Sequence, residues 1–238
     1  MIFKLNDALD IPALKAAYGE RKILQIKNIF PEDLAEKLYD CLAGEVSWGF
    51  QYMGPGGARV KYSKEEYDAL SEEKKTDAFR HIHQTAADQF QYMYFFYPLT
   101  KSYQSSENPE FLLHQLLEYF NSEAVLEVIR EITGIPELIR ADALATKYTG
   151  NCFLHSHMDK REENSRRVAY VVNMTKGWQP NWGGYLQFFK NDLNIERSFL
   201  PAFNTLNIFT VPKGHSVGVV PPFCPGERLS VAGWFRDA

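Results

Sequence analysis

One property limits the fold of this chain more than any other. From about residue 138 it breaks into short β-rich runs separated by turn signals. The candidate strands are 140–148, 152–157, 167–174, 184–190, 195–200, 205–211, 215–220 and 228–235. Short strands at near-regular spacing predict a sandwich or a barrel rather than a parallel α/β sheet.

The first half reads differently, as mixed and rather helical. Ile23-Leu24-Gln25-Ile26-Lys27 alternates weakly and is a strand candidate. Pro31-Glu32-Asp33 opens a helix, with Leu34, Leu38, Cys41 and Leu42 at helical spacing. Gly54-Pro55-Gly56-Gly57 is a turn or flexible loop. Residues 63–78 predict a charged, solvated helix, which Ser63 and Glu66 open as a capping box. The aromatic run Gln91-Tyr92-Met93-Tyr94-Phe95-Phe96-Tyr97 has strand character. Residues 109–120 and 123–133 predict two helices, the second closed by Gly134 and followed by Pro136. Either half alone would expose apolar faces, so the helices are expected to pack outside the β-fold. The expectation is a single domain, 1–238, with 1–137 as a support region on a core at 138–238.

Composition removes several function classes. The net charge of −4 leaves no basic footprint for nucleic acid. Cys41, Cys152 and Cys224 are odd in number and not closely spaced, which argues against a disulfide framework and for a reducing compartment. No basic-then-apolar leader opens the chain, and no apolar run approaches the ~20 residues that span a membrane. The expected setting is soluble and cytoplasmic, with no membrane partner. The 14% aromatic content fits a β-rich core or an aromatic-lined site.

The chemistry concentrates in His155-Ser156-His157-Met158-Asp159. In an extended segment, His157 and Asp159 leave the same face. One imidazole and one carboxylate are two-thirds of the set that holds non-haem Fe(II). The third ligand would be a later histidine, and His215 is the one downstream. A surface-loop pair is the alternative reading of His157 and Asp159. Arg228, thirteen residues after His215, starts the last strand. Alternation places Arg228, Ser230, Ala232 and Trp234 on one face and Leu229, Val231, Gly233 and Phe235 on the other. An arginine facing a barrel interior needs an anion, because an unpaired buried charge is very costly. That anion is either a protein carboxylate or a dicarboxylate co-substrate held by the guanidinium fork.

Several segments then coincide with one family in order. They are His157-Met158-Asp159, Arg167-Val168-Ala169-Tyr170-Val171-Val172-Asn173, Trp182-Gly183-Gly184-Tyr185-Leu186, Phe203-Asn204-Thr205-Leu206-Asn207-Ile208-Phe209, His215-Ser216-Val217 and Arg228-Leu229-Ser230-Val231-Ala232-Gly233-Trp234-Phe235. Through residues 144–236 the chain resembles the Fe(II)- and 2-oxoglutarate-dependent dioxygenases of the prolyl-4-hydroxylase type. It is most similar to the hypoxia-sensing and ribosomal-protein prolyl hydroxylases and their bacterial relatives. The resemblance implies a mainly β fold with flanking helices, a double-stranded β-helix of the jelly-roll or cupin-like kind. It implies Fe(II) held by His157, Asp159 and His215, with Arg228 on the distal carboxylate of 2-oxoglutarate. Tyr148 matches a co-substrate tyrosine and Trp234 an aromatic residue near the substrate. It implies O2 as oxidant, succinate and CO2 as products, and ascorbate as a candidate reductant. A prolyl residue in a protein or peptide is the leading substrate. A free amino acid or other small molecule is the alternative, and a catalytically silent metal-binding module the third.

Two departures from the family pattern matter. Val171 stands where the animal oxygen sensors have a second co-substrate tyrosine, with Tyr170 on the opposite face, so Ser230 is the candidate to supply that hydroxyl. The interval from His215 to Arg228 is also longer, so the 221–227 turn is expected to differ. His155 and Arg167 join Trp234 as substrate-side candidates; His155 also has a rival reading as the ligand itself. His81 and His83 are expected at the surface and His114 in a structural role. Residues 160–166 are either a solvated loop or a lid over the substrate. Trp178 is expected to pack the barrel edge, and Trp182 either packs there or lines a groove.

Overall fold

A computed structural model describes residues 2–19, 21–105, 108, 110–159 and 165–238. In chain order its helices are α1 (Ile11–Tyr18), α2 (Glu32–Gly44), α3 (Lys64–Asp68), α4 (Glu72–Thr85), α5 (Leu99–Gln104), α6 (Leu112–Phe120) and α7 (Glu123–Thr133). Its strands are β1 (Ile23–Lys27), β2 (Gly49–Met53), β3 (Arg59–Tyr62), β4 (Tyr92–Tyr97), β5 (Arg140–Tyr148), β6 (Phe153–Met158), β7 (Arg166–Asn173), β8 (Leu186–Phe189), β9 (Ile195–Phe199), β10 (Thr205–Thr210), β11 (Gly214–Val217) and β12 (Arg228–Arg236).

All strand pairs are antiparallel. The strands follow the order β1-β10-β7-β12-β5-β4-β6-β11-β8-β9, with the β2–β3 hairpin branching from β4. The sheet curls into a nearly closed barrel, the double-stranded β-helix, with helices flanking it. Full-length alternation along β12 builds its wall. Leu229, Val231 and Phe235 face outward into the main core with the helices, where they meet Leu117 and Phe120 of α6 and Leu126 and Ile129 of α7. Arg228, Ser230, Ala232 and Trp234 face a cavity inside the barrel.

Local chemistry accounts for the helix boundaries. Asp10 caps α1 by accepting from the Ala13 amide at 3.0 Å. Ser63 and Glu66 form the expected reciprocal capping box on α3. The single helix expected over 63–78 is two, because Ser71 caps a second start by accepting from the Lys74 amide. Gly134 ends α7 with φ 70°, a left-handed conformation that costs glycine nothing. The eight expected C-terminal strands all form, with ends displaced by at most three residues. Strand β11 stops at Val217, so the expected run to residue 220 ends early. Helices α1 and α5 and strands β2 and β3 were not expected. Gln51 is buried mid-strand in β2, which breaks the apolar alternation that would have marked it.

A candidate metal and co-substrate site

Strands β6 and β11 pair so that His157 lies directly opposite His215. Asp159 follows at the end of β6, two residues from His157. The two imidazole centroids are 4.3 Å apart. One ligand atom from each of His157, Asp159 and His215 falls within a 4.8 Å group. Asp159 and His215 are only 8% and 7% exposed.

Backbone carbonyls set the tautomer of both histidines. His157 Nδ1 sits 2.9 Å from the His155 carbonyl, and His215 Nδ1 sits 2.8 Å from that of Lys213. A carbonyl only accepts, so each Nδ1 carries the proton and each Nε2 keeps its lone pair. The His215 Nε2 is 3.8 Å from Asp159 Oδ2. Burial, with His157 beside it, pushes the His215 imidazole down to about 4, so it is neutral at ordinary pH. Asp159 is oriented from behind. The Trp234 indole donates to Oδ2 at 2.9 Å. Arg166 lies 3.7 Å from Oδ1 and stacks on the Trp234 ring at 3.8 Å. Asp142 on β5 accepts from the Trp234 amide at 2.9 Å, which fixes the indole's position. Two imidazoles and one carboxylate, oriented by outer hydrogen bonds, suit Fe(II) and leave coordination positions for other ligands.

The cavity in front of this group has a volume of about 400 Å3. Arg228 closes its far side, 2% exposed. No carboxylate among the described residues reaches ion-pair distance of its guanidinium, and Nε has no hydrogen-bond partner. Tyr148 lies directly across in register, with the guanidinium 4.9 Å from its ring centre. Tyr94 stacks on Tyr148 at 5.0 Å. Burial raises both phenols, so each is a protonated hydrogen-bond donor. Ser230 shares a 2.8 Å hydrogen bond with Thr146. The wall beside Arg228 includes Gly184, at φ +64°, where an added Cβ would meet Trp178, Val220 and the arginine stem. Trp178 packs edge-on against Trp182 and donates to the Gly183 carbonyl.

The expected residues His157, Asp159, His215, Arg228, Tyr148, Ser230 and Trp234 all line this cavity. His155 and Arg167 do not. His155 stacks on Phe153, and its Nδ1 lies 3.2 Å from both the Gln91 amide and the Gln89 carbonyl, so it anchors the loop that carries Phe90. Arg167 pairs with Asp237. Strict alternation would put Arg167 beside Ala169 and Val171 on the cavity face, but a bulge opposite Phe235–Arg236 puts Arg166 there instead. Within the proposed 160–166 lid, residues 160–164 lie outside the described residues. His114 is buried and bonded to Asn108 and Ser102, as a structural histidine. On α4, His83 is exposed as expected, whereas His81 is half-buried with its ring edge-on to Tyr52 and its Nε2 enclosed, so it is not the surface residue expected. Sequence reasoning missed Arg59, Lys61, Phe90 and Tyr94. The period-two pairs Arg59/Lys61 and Tyr92/Tyr94 were the available signal.

Residues 143–236 match the model of the 2OG-Fe(II) oxygenase superfamily. A relative is mouse prolyl 3-hydroxylase OGFOD1, 28% identical over 114 residues; these are 45% of this chain and 20% of that protein, so the chain spans about a fifth of its length. Among solved structures, a Pseudomonas putida prolyl-4-hydroxylase superposes with TM-score 0.56 at 20% identity, over 96% of this chain and 99% of that one. A Trichoplax adhaerens prolyl hydroxylase, in complex with a hypoxia-inducible-factor oxygen degradation domain peptide fragment, superposes with TM-score 0.62 at 12% identity, over 95% and 89%. No helix among the described residues is long and apolar enough to cross a membrane. Residues 143–236 thus match the 2OG-Fe(II) oxygenase superfamily, and the chain shares its fold with solved prolyl hydroxylases.

Proposed function

We propose that this protein uses Fe(II), 2-oxoglutarate and O2 to hydroxylate a prolyl residue of a protein or peptide, releasing succinate and CO2. The observation that carries the reading is Arg228. It is a fully buried guanidinium without an anion, in the same cavity as the His157–Asp159–His215 group. A dicarboxylate that chelates the metal at one end and meets Arg228 at the other resolves that unpaired charge.

In this reading His157, Asp159 and His215 hold the metal. Bound Fe(II) supplies the oxidising chemistry, reducing O2 as 2-oxoglutarate loses CO2 and the substrate gains a hydroxyl. Trp234 and Arg166 keep the Asp159 carboxylate aimed at the group. Arg228 takes the distal carboxylate of 2-oxoglutarate, and the protonated Tyr148 phenol donates to it. Ser230 is a further donor beside Arg228. The apolar walls from Ala169, Val171, Leu186 and Phe209 exclude water from the reacting centre. Within one domain, 138–238 carry the metal group and Arg228, while 1–137 support the barrel and add Arg59, Lys61, Phe90 and Tyr94 to the cavity lining.

A prolyl substrate is supported by the likeness to prolyl hydroxylases, one of them holding a peptide. A second reading is a hydroxylase of a free amino acid or other small molecule, since a cavity of about 400 Å3 suits a small ligand. Mass spectrometry of prolyl peptides and free proline incubated with Fe(II) and 2-oxoglutarate, with succinate measured alongside, separates them. Succinate coupled to a one-oxygen mass gain on a peptide is the expected result. Absence of both succinate release and 2-oxoglutarate binding overturns the activity.

A further inference from the structure

We propose that the substrate carries a carboxylate next to its reacting residue, and that Arg59 and Lys61 bind it at the cavity mouth. This inference rests on the iron and 2-oxoglutarate reading above and adds the chemical class of the remaining occupant.

The β2–β3 hairpin presents four side chains to the cavity. Gln51 pairs with Lys61 and Met53 with Arg59, and all four line it. Arg59 and Lys61 are two residues apart on one strand, so they share a face. Among the described residues, the charged side chains lining the cavity are Arg59, Lys61, Asp159, Arg166 and Arg228, four cations and one carboxylate. The whole chain has the opposite balance, 26 Lys and Arg against 30 Asp and Glu. The cavity is therefore a local reversal of the protein's own charge.

Most of the cavity's charges have assignments. A divalent ion and Arg228 together balance Asp159 and the two carboxylates of 2-oxoglutarate. Arg166 is engaged with Asp159 and the Trp234 ring. Arg59 and Lys61 remain. Both are exposed, and neither has an ion pair with a carboxylate among the described residues. Their neighbourhood is repulsive: partial burial, then Arg59 and Lys101 nearby, hold the Lys61 ammonium below its ordinary range. Adjacent like charges over a low-dielectric cleft focus positive potential onto its mouth and favour an anion.

A second stretch of the lining, beside the metal group, is apolar. Phe90 is 42% exposed, with its ring 5.8 Å from His157 and 6.0 Å from Tyr92. An occupant complementary to both stretches places an apolar ring against Phe90, close to the metal group, and a carboxylate toward Arg59 and Lys61. An acidic side chain flanking a prolyl residue supplies this chemistry. The free α-carboxylate of an amino acid also supplies it.

The test uses fluorescently labelled peptides with one prolyl centre and Asp, Asn or Lys at the flanking positions. Each is titrated by anisotropy against full-length protein loaded with Mn(II) and 2-oxoglutarate. Free L-proline and L-prolinamide serve as competitors. The expected result is Asp tighter than Asn by about 10-fold (~1.4 kcal/mol), Lys weakest, and a flattened order in high salt. Arg59→Gln/Lys61→Gln abolishes the order and Arg59→Glu/Lys61→Glu inverts it, with circular dichroism reporting folding. Calorimetric binding of free L-proline but not of L-prolinamide, where no peptide binds, assigns the carboxylate to a small molecule. Equal binding of Asp and Asn peptides, a preference that survives in both double variants, or no binding of any acid overturns the proposal. Calorimetric binding of 2-oxoglutarate in the same samples, and its weakening in Arg228→Ala, reports the underlying site separately.

Discussion

Replacing Arg228 with methionine sets two consequences of one buried charge against each other. The side chain keeps an unbranched stem and loses the guanidinium. Without an anion, the wild-type guanidinium is a liability, because it is 2% exposed and burial already holds its pKa below the ordinary value. Apolar replacement of buried charges is often neutral or stabilising. With 2-oxoglutarate, the same group makes a charge-assisted contact of about 1.5–3 kcal/mol. We therefore predict that Arg228→Met unfolds at the same temperature as wild type, or a higher one, when 2-oxoglutarate is absent. Its 2-oxoglutarate affinity falls by about 10–150-fold. At a concentration 100 times the wild-type dissociation constant, 2-oxoglutarate stabilises wild type by about 2.7 kcal/mol, and a 100-fold weaker variant by only about 0.4 kcal/mol. Thermal unfolding of the Mn(II)-loaded proteins with and without 2-oxoglutarate reads both effects, and calorimetry gives the affinities. Unchanged affinity refutes the co-substrate role. A ligand-free loss of stability well beyond the ~1 kcal/mol typical of point substitutions refutes the unpaired charge.

Three further outcomes follow from the same geometry. Trp234→Phe keeps a ring under Arg166 but removes the donor to Asp159, so we predict 10–100-fold weaker metal binding, on the order seen when partners of metal ligands are removed, read by Mn(II) titration. Tyr148→Phe leaves its stack with Tyr94 and removes one phenol donor, so 2-oxoglutarate binding should weaken by about 2- to 10-fold, as one neutral hydrogen bond implies; an unchanged constant removes Tyr148 from the site. His215 is held down to about 4 when no metal is bound, while an unfolded imidazole titrates near 6.5. The unfolded chain binds more protons between those values, so stability in a chelator falls as pH drops from about 6.5 to about 4. Urea midpoints across that range test this, and His215→Gln should flatten the slope.

The barrel was legible because each of its strands satisfies a local rule. β5 and β12 alternate over nine residues each, and their paired faces could be read off as core and cavity. The His157, Asp159, His215 and Arg228 set was legible for the same reason, since period-two spacing maps directly onto a face. Where the period slips, the reading slipped with it. The bulge opposite Phe235–Arg236 exchanged Arg167 for Arg166, and nothing local in Arg166-Arg167-Val168 signals it. The β2–β3 hairpin escaped because buried Gln51 and the exposed cations of β3 give no apolar rhythm, although the Gly54-Pro55-Gly56-Gly57 turn between them was recognised. His155 illustrates a different limit. Its ring is turned to the Gln91 loop by a contact 64 residues away in sequence, and spacing cannot reveal such a contact.

The pairing of β6 with β11 has a mechanical consequence. This seam is short, and its register shifts between His215 and Val217. An ion held by His157 and His215 would bridge the seam at its one directly opposed histidine pair, like a rivet through two overlapping plates. The ion would then govern how often the plates part as well as the chemistry between them. Amide hydrogen exchange should show it as slower opening of Phe153–Met158 and Gly214–Val217 on adding Mn(II), while the long β5–β12 seam keeps its own rate.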